Sequence, residues 1–156
     1  MITLQTIVDV KGVKPKDFYE FILNCTDEDY NRWWPGTHLV WHTVKKFPGN
    51  TGNLIYSEQM FGGHLEKGHS VIKKLVPYNE MHFQVIRGIR VPVWYTLKFD
   101  DIPGGVRVTH LVFGGLNGIG KIFDPLFRLF LSEAYNAELD PHVIEEFHRL
   151  ATVLAK

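Results

Sequence analysis

The sequence predicts one α+β domain over residues 1–156, a curved antiparallel sheet of about seven strands wrapped around a long C-terminal helix, with two short helices after the first strand. Three observations carry that reading. Apolar residues alternate with a period of two from Thr37 to about Phe113. The period turns helical after Gly114-Gly115 and stays so to the end. Turn residues, never helical segments, separate the strand candidates, so consecutive strands join as hairpins.

The first strand is Ile2 to Val10, where Ile2, Leu4, Thr6 and Val8 fall on one face. Gly12 ends it, and Pro15 opens a helix at the position where its missing N–H is harmless. Phe18, Phe21 and Ile22 give that helix its apolar face. A second short helix runs from Thr26 to Trp33, with Thr26 as N-cap and acidic residues in the first turn. Six strands follow: His38 to Lys45, Asn53 to Phe61, His69 to Val76, Met81 to Ile86, Val91 to Phe99 and Val106 to Phe113. The last helical stretch runs from Ile119 to Leu139 with Asp124, Arg128, Ser132 and Asn136 as its polar stripe. Asp140-Pro141 is either the start of a new helix or a kink in a continuous one. Val143, Ile144, Phe147, Leu150, Ala151 and Leu154 then extend the apolar stripe.

Composition narrows the function classes. Lys+Arg and Asp+Glu both number 17, and that balance excludes the basic excess of sequence-independent nucleic-acid binding or of a polybasic membrane face. The lone Cys25 forms no internal disulfide. The opening MITLQTIVDV does not read as a signal peptide, and no window is apolar enough to insert in a bilayer, so a soluble cytoplasmic protein is expected. Aromatic residues make up 13% of the chain, which serves either a well-packed interior or an apolar ligand cavity.

Three local features point beyond the fold. Thr51-Gly52-Asn53-Leu54-Ile55-Tyr56 reads as a turn into a strand, Val71 to Phe83 as a strand, Pro, polar turn and strand, and Gly104-Gly105-Val106-Arg107-Val108-Thr109 as a tight hairpin. Together with the element order, they resemble the START-like (helix-grip, SRPBCC) superfamily, and within it the polyketide cyclase/dehydrase and lipid-transport group. The last segment has Val106 where that group usually has Thr. The resemblance implies a cavity between sheet and C-terminal helix that binds a hydrophobic or amphipathic small molecule of lipid, polyketide or aromatic type. It names no universal catalytic residue and no cofactor, and function carried by fold alone is analogy.

If the concave face of the sheet meets the helix, alternation proposes the inward side chains. They are Val93, Tyr95, Leu97 and Phe99; Val106, Val108, His110 and Val112; Met81, Phe83 and Val85; and Leu54, Tyr56, Glu58 and Met60. Glu58 is the sharpest departure, because a buried carboxylate is costly unless paired. Glu58 and His110 either anchor a ligand's oxygen, or act as an acid/base pair in a cyclase or dehydratase, or a bulge turns Glu58 to solvent and leaves His110 in the core. Trp41, Tyr56, Glu58, Phe83, Tyr95, His110, Phe123, Phe127 and Phe130 are the candidate ligand contacts. Trp33, Trp34 and Trp41 form a lid, a plug or a homodimer surface; a non-catalytic homodimeric module is the remaining alternative. No metal is expected: His38 and His42 on a strand share a face roughly 13 Å apart, and no cysteine pair supports His64 and His69. Gly115 to Lys121 matches G-x-x-x-x-G-K, but Ile122 replaces the Ser or Thr that holds magnesium, so it reads as a hinge.

Overall fold

A computed structural model describes residues 1–155, with Phe130 described by its backbone alone. Its elements are β1 (Ile2–Lys11), α1 (Pro15–Leu23), α2 (Asp27–Trp33), β2 (His38–Lys45), β3 (Leu54–Phe61), β4 (His64–Val76), β5 (Glu80–Arg87), β6 (Ile89–Ile102), β7 (Gly105–Gly114), a 3-10 turn (Gly118–Phe123), α3 (Asp124–Phe130) and α4 (Glu133–Leu154). The seven strands form one sheet in the order β1-β7-β6-β5-β4-β3-β2, and every pairing is antiparallel. Only β1 is out of sequence order, so it closes the far edge against β7 while α1 and α2 cover the way back to β2.

Local chemistry explains the boundaries. Asp29 N donates to the Thr26 hydroxyl and Thr26 N to the Asp29 carboxylate, a reciprocal cap that starts α2. Phe61 pairs with His64 across Gly62-Gly63, whose φ angles of 56° and 79° suit the two-residue turn favoured in hairpins. That pairing starts β4 five residues earlier than the sequence predicts, since charged Glu66 and Lys67 and the strand glycine Gly68 hide the alternation.

The C-terminal stretch departs from the expected continuous helix. It breaks at Leu131-Ser132, not at Asp140-Pro141. The Ser132 backbone is extended and its hydroxyl accepts from Tyr135 N, so a capping residue restarts the helix there. Pro141 lies inside α4. An interior proline costs ~3 kcal/mol, and burial of Leu139, Val143, Phe147 and Leu150 on both sides of it offsets that cost. Thr6 on β1 also donates a hydrogen bond to the Asp140 carboxylate, tying the proline turn to the sheet. No helix among the described residues is long and apolar enough to cross a membrane.

The core fills one end of the grip. Phe18 of α1 meets Phe99 of β6 edge-on at 6.2 Å and Phe147 of α4 at 5.8 Å, with Val106 and Val108 of β7 beneath them.

Gly105 of β7 packs tightly against β1, and a Cβ there would lie 1.9 Å from the Val10 carbonyl oxygen. Gly105→Ala is expected to cost about 3 kcal/mol, the upper range of overpacking. Gly63→Ala meets no neighbour and pays only for its left-handed backbone, ~1–2 kcal/mol. Urea denaturation of the two variants checks the difference; equal losses would show that the strand contact is not limiting.

Candidate ligand cavity and its polar wall

The inward side chains change character along each element that forms the grip. On β6, Phe99 belongs to the packed end, whereas Leu97, Tyr95 and Val93 line a cavity of about 750 Å3. On β7 the same passage runs from Val106 and Val108 to His110 and Val112. On α4 it runs back from Leu150 through Phe147 to Val143, Leu139 and Tyr135. Cross-strand register keeps the faces together, with Leu97 opposite His110 and Tyr95 opposite Val112. The volume lies within the ~300–1,000 Å3 of small-molecule sites. A depression of about 630 Å3 between the turns at Gly12–Lys14 and Asp101–Gly105 lies outside the grip and gathers no comparable chemistry.

One wall is polar. His142 and Glu146 lie four residues apart on α4, hence on one face of the helix, and both border the cavity. His38, at the start of β2, is fully buried, and its Nε2 comes within 3.1 Å of Glu146 Oε1, an ion-pair contact. Tyr30 stacks flat on the His38 ring at 3.8 Å and Trp33 meets it edge-on at 4.7 Å. The Trp33 indole N–H donates to the Glu146 carbonyl at 2.6 Å, fixing α2 to α4 at this level. His110 completes the wall from the sheet. Four buried ring nitrogens, His38 Nδ1 and Nε2, His110 Nδ1 and His142 Nε2, have no hydrogen-bond partner among the described residues.

Charge at this wall is finely poised. Burial alone would raise the Glu146 carboxyl, but His38, then His142 and His110, outweigh it and hold the group below its ordinary value. Burial pushes the His110 imidazole down, against the charge of Glu146, and does the same to His142. Elsewhere around the cavity, Ser70 and Tyr95 share a hydrogen bond of 3.0 Å, and burial drives the Tyr95 phenol up and that of Tyr135 up to about 12. Burial also raises Glu66, with Arg87 opposing.

Of the residues proposed from sequence, Trp41, Tyr95, His110 and Phe127 border the cavity. Phe83 is fully buried behind it, stacked on Tyr95 at 4.6 Å. Phe123 is exposed and outside the lining. The side chain of Phe130 lies outside the described residues. Tyr56 and Glu58 correct the expected parity of β3. The cavity takes Ser57, Gln59 and Phe61, so Tyr56 and Glu58 occupy the opposite face, hydrogen-bonded to each other. Glu58 therefore does not meet His110. The parity was ambiguous because the inward set of this strand includes two polar residues while Leu54, Tyr56 and Met60 mark the outer face.

His38 and His42 also differ from expectation. A register shift between His38 and Val40 turns them to opposite faces: His38 goes inward and His42 bonds Asp27 at 2.8 Å outside. His38, His142 and Glu146 are site residues that strand alternation alone does not reveal. The signal for two of them is the His142-x-x-x-Glu146 spacing beside the apolar stripe of a helix.

The depressed histidines have a consequence for stability. His82, His110 and His142 all titrate below their ordinary 6.5 in the fold, so the unfolded chain binds more protons once pH drops beneath that value. Stability is fully retained above it and declines toward the lower folded pKa values; Glu146, also depressed, extends the loss to more acid pH. Thermal melts between about pH 7 and pH 5 are expected to show a falling midpoint, with a shallower slope in His110→Asn. A midpoint that is flat or rises on acidification contradicts the arrangement.

No protein-family model matches the chain, and no curated protein matches it. Solved structures do. Ara h 8.0201 superposes with a TM-score of 0.66 at 13% identity, over 98% of this chain and 97% of its own. Protein CV1439 from Chromobacterium violaceum gives 0.66 at 12% identity, covering 100% and 99%. The Aha1 dimer from Colwellia psychrerythraea gives 0.51 at 16% identity, covering 87% and 97%. Identities this low speak to architecture alone, and over essentially its whole length the chain has the helix-grip fold.

Proposed function

We propose that the protein binds an amphipathic small molecule inside the grip, apolar body against the sheet and oxygen-bearing end at the His142–Glu146 wall. The observation that carries this is the cavity itself: about 750 Å3, walled by Trp41, Tyr95, Val112, Phe127, Leu139 and Val143, with polar groups at the His142–Glu146 wall and along β3 and β4. Ligand sites combine these features, a mostly apolar lining and a few polar groups that orient the occupant. A core needing only to be packed would not leave such a volume open, because voids cost stability roughly in proportion to their size. An acid/base pair of Glu58 and His110 has no geometric support, since the two lie on opposite faces of the sheet.

Native mass spectrometry of freshly purified protein is expected to show an adduct of small-molecule mass. Leu139→Trp, which fills the cavity from α4, is expected to abolish that adduct at a stability cost of ~1–3 kcal/mol. Ile144→Trp, on an exposed position of the same helix, is expected to retain it. Quenching of the fluorescence of Trp33 and Trp41, both at the cavity, by added fatty acids and aromatic polyketides then ranks the ligand classes. No adduct and no saturable quenching by either class would refute the reading.

A further inference from the structure

We propose that His38, His142 and Glu146 form a binding site for a divalent metal ion of the zinc class, in the polar wall of the cavity and with one coordination position open to it. The inference stands on the geometry of these residues and does not rest on the ligand-binding reading.

The donor atoms are already gathered: one ring nitrogen of each histidine and a Glu146 oxygen all lie within 4.8 Å of one another. Ligands at ~2.0–2.2 Å around a tetrahedral zinc ion stand roughly 3.3–3.6 Å apart, and His38 Nε2 lies 3.1 Å from Glu146 Oε1. Only small side-chain rotations separate this arrangement from coordination. Two histidines and a glutamate are also a recurrent donor set of zinc sites that keep a fourth position for water or substrate.

Two further observations point to a ligand. Buried polar atoms are paired in the great majority of cases, yet His38 Nε2 and His142 Nε2 are buried with no hydrogen-bond partner among the described residues, and His38 is 0% exposed. His38 Nε2 and Glu146 Oε1 are held 3.1 Å apart in the interior, close to the spacing of two ligands on one ion.

The surroundings define what the ion would take next. His142 and Glu146 border the cavity while His38 sits behind them against Tyr30 and Trp33, so protein closes one side of the ion and the cavity opens the other. With one carboxylate among three ligands, the site keeps net positive charge. The open position therefore favours an anionic or polarised oxygen, such as a phenolate, enolate or carboxylate at the end of an otherwise apolar molecule. His110, also unpartnered at Nδ1, borders the same cavity.

The test uses the full chain, stripped with a chelator and titrated with zinc chloride by calorimetry. One equivalent is expected to bind with sub-micromolar affinity, releasing protons and raising the melting temperature. His142→Gln and Glu146→Gln, near-isosteric changes that preserve helix packing, are each expected to weaken binding at least about 100-fold. His148→Ala, on the exposed face of α4, leaves it unchanged. Cobalt(II) gives an independent reading: an intense visible absorption of low-symmetry coordination in the parent protein, lost in both variants. No saturable binding, or equal affinity in parent and variants, overturns the proposal. Loss of organic-ligand binding in Leu139→Trp, with zinc affinity intact, would separate the two readings.

Discussion

The register in which α4 lies across the sheet governs the rest of the molecule. Leu150 and Phe147 are clamped in the packed end, with Phe147 held between Phe18 and Trp33. Once Phe147 is fixed, the helical repeat leaves no freedom for the preceding turn: Val143 continues the apolar stripe, and Glu146 and His142, one residue to the side of it, must face the cavity wall. A carboxylate carried to that depth is tolerable only if compensated. Three histidines from three different elements, β2, β7 and α4 itself, converge on it. The aromatic clamp and the polar wall are therefore one device, since the first sets the position at which the second must be satisfied.

The tryptophans divide the labour of holding that device. Trp33 is buried and bonds the α4 backbone at Glu146. Trp34 lies against the His142 ring at 4.8 Å and beneath the Arg149 guanidinium at 5.1 Å, covering the wall from outside. Trp41 lines the cavity and leans on Tyr30 at 5.3 Å. Three residues close in sequence thus act as strut, cover and lining, a division made by the α2–β2 turn, not by the side chains themselves.

Much of the fold was legible because its signals are periodic. Three of the four inward sets read from alternation, those on β5, β6 and β7, do face the grip. Thr26 as a cap and Gly62-Gly63 as a turn follow from local chemistry that tertiary structure does not override. The misreadings fall where the interior is polar or the ladder irregular. On β3 the inward Ser57 and Gln59 invert the apparent parity, and on β2 one bulge separates His38 from His42. Sequence alternation presumes an apolar inside, so it fails where a cavity wall needs hydrogen-bonding groups. That failure is itself informative: β5, β6 and β7 also border the cavity, but their inward residues are mostly apolar and so keep the expected parity.

The same logic bears on why the cavity persists. A chain selected only for stability would extend the Phe18–Phe99–Phe147 packing along the grip, because each large side chain placed there would contribute ~1.5–3 kcal/mol of burial. Here β3 offers Ser57 and Gln59, β4 offers Gly68 and Ser70, and α4 offers His142 and Glu146, all at positions where apolar residues would close the space. The departure recurs on elements far apart in sequence and converges on one volume. Independent drift would scatter such substitutions over the surface, where they cost little. Their concentration around a single interior volume is what the proposed occupant accounts for, and the unpartnered nitrogens of His38, His110 and His142 lie on the same side of that volume.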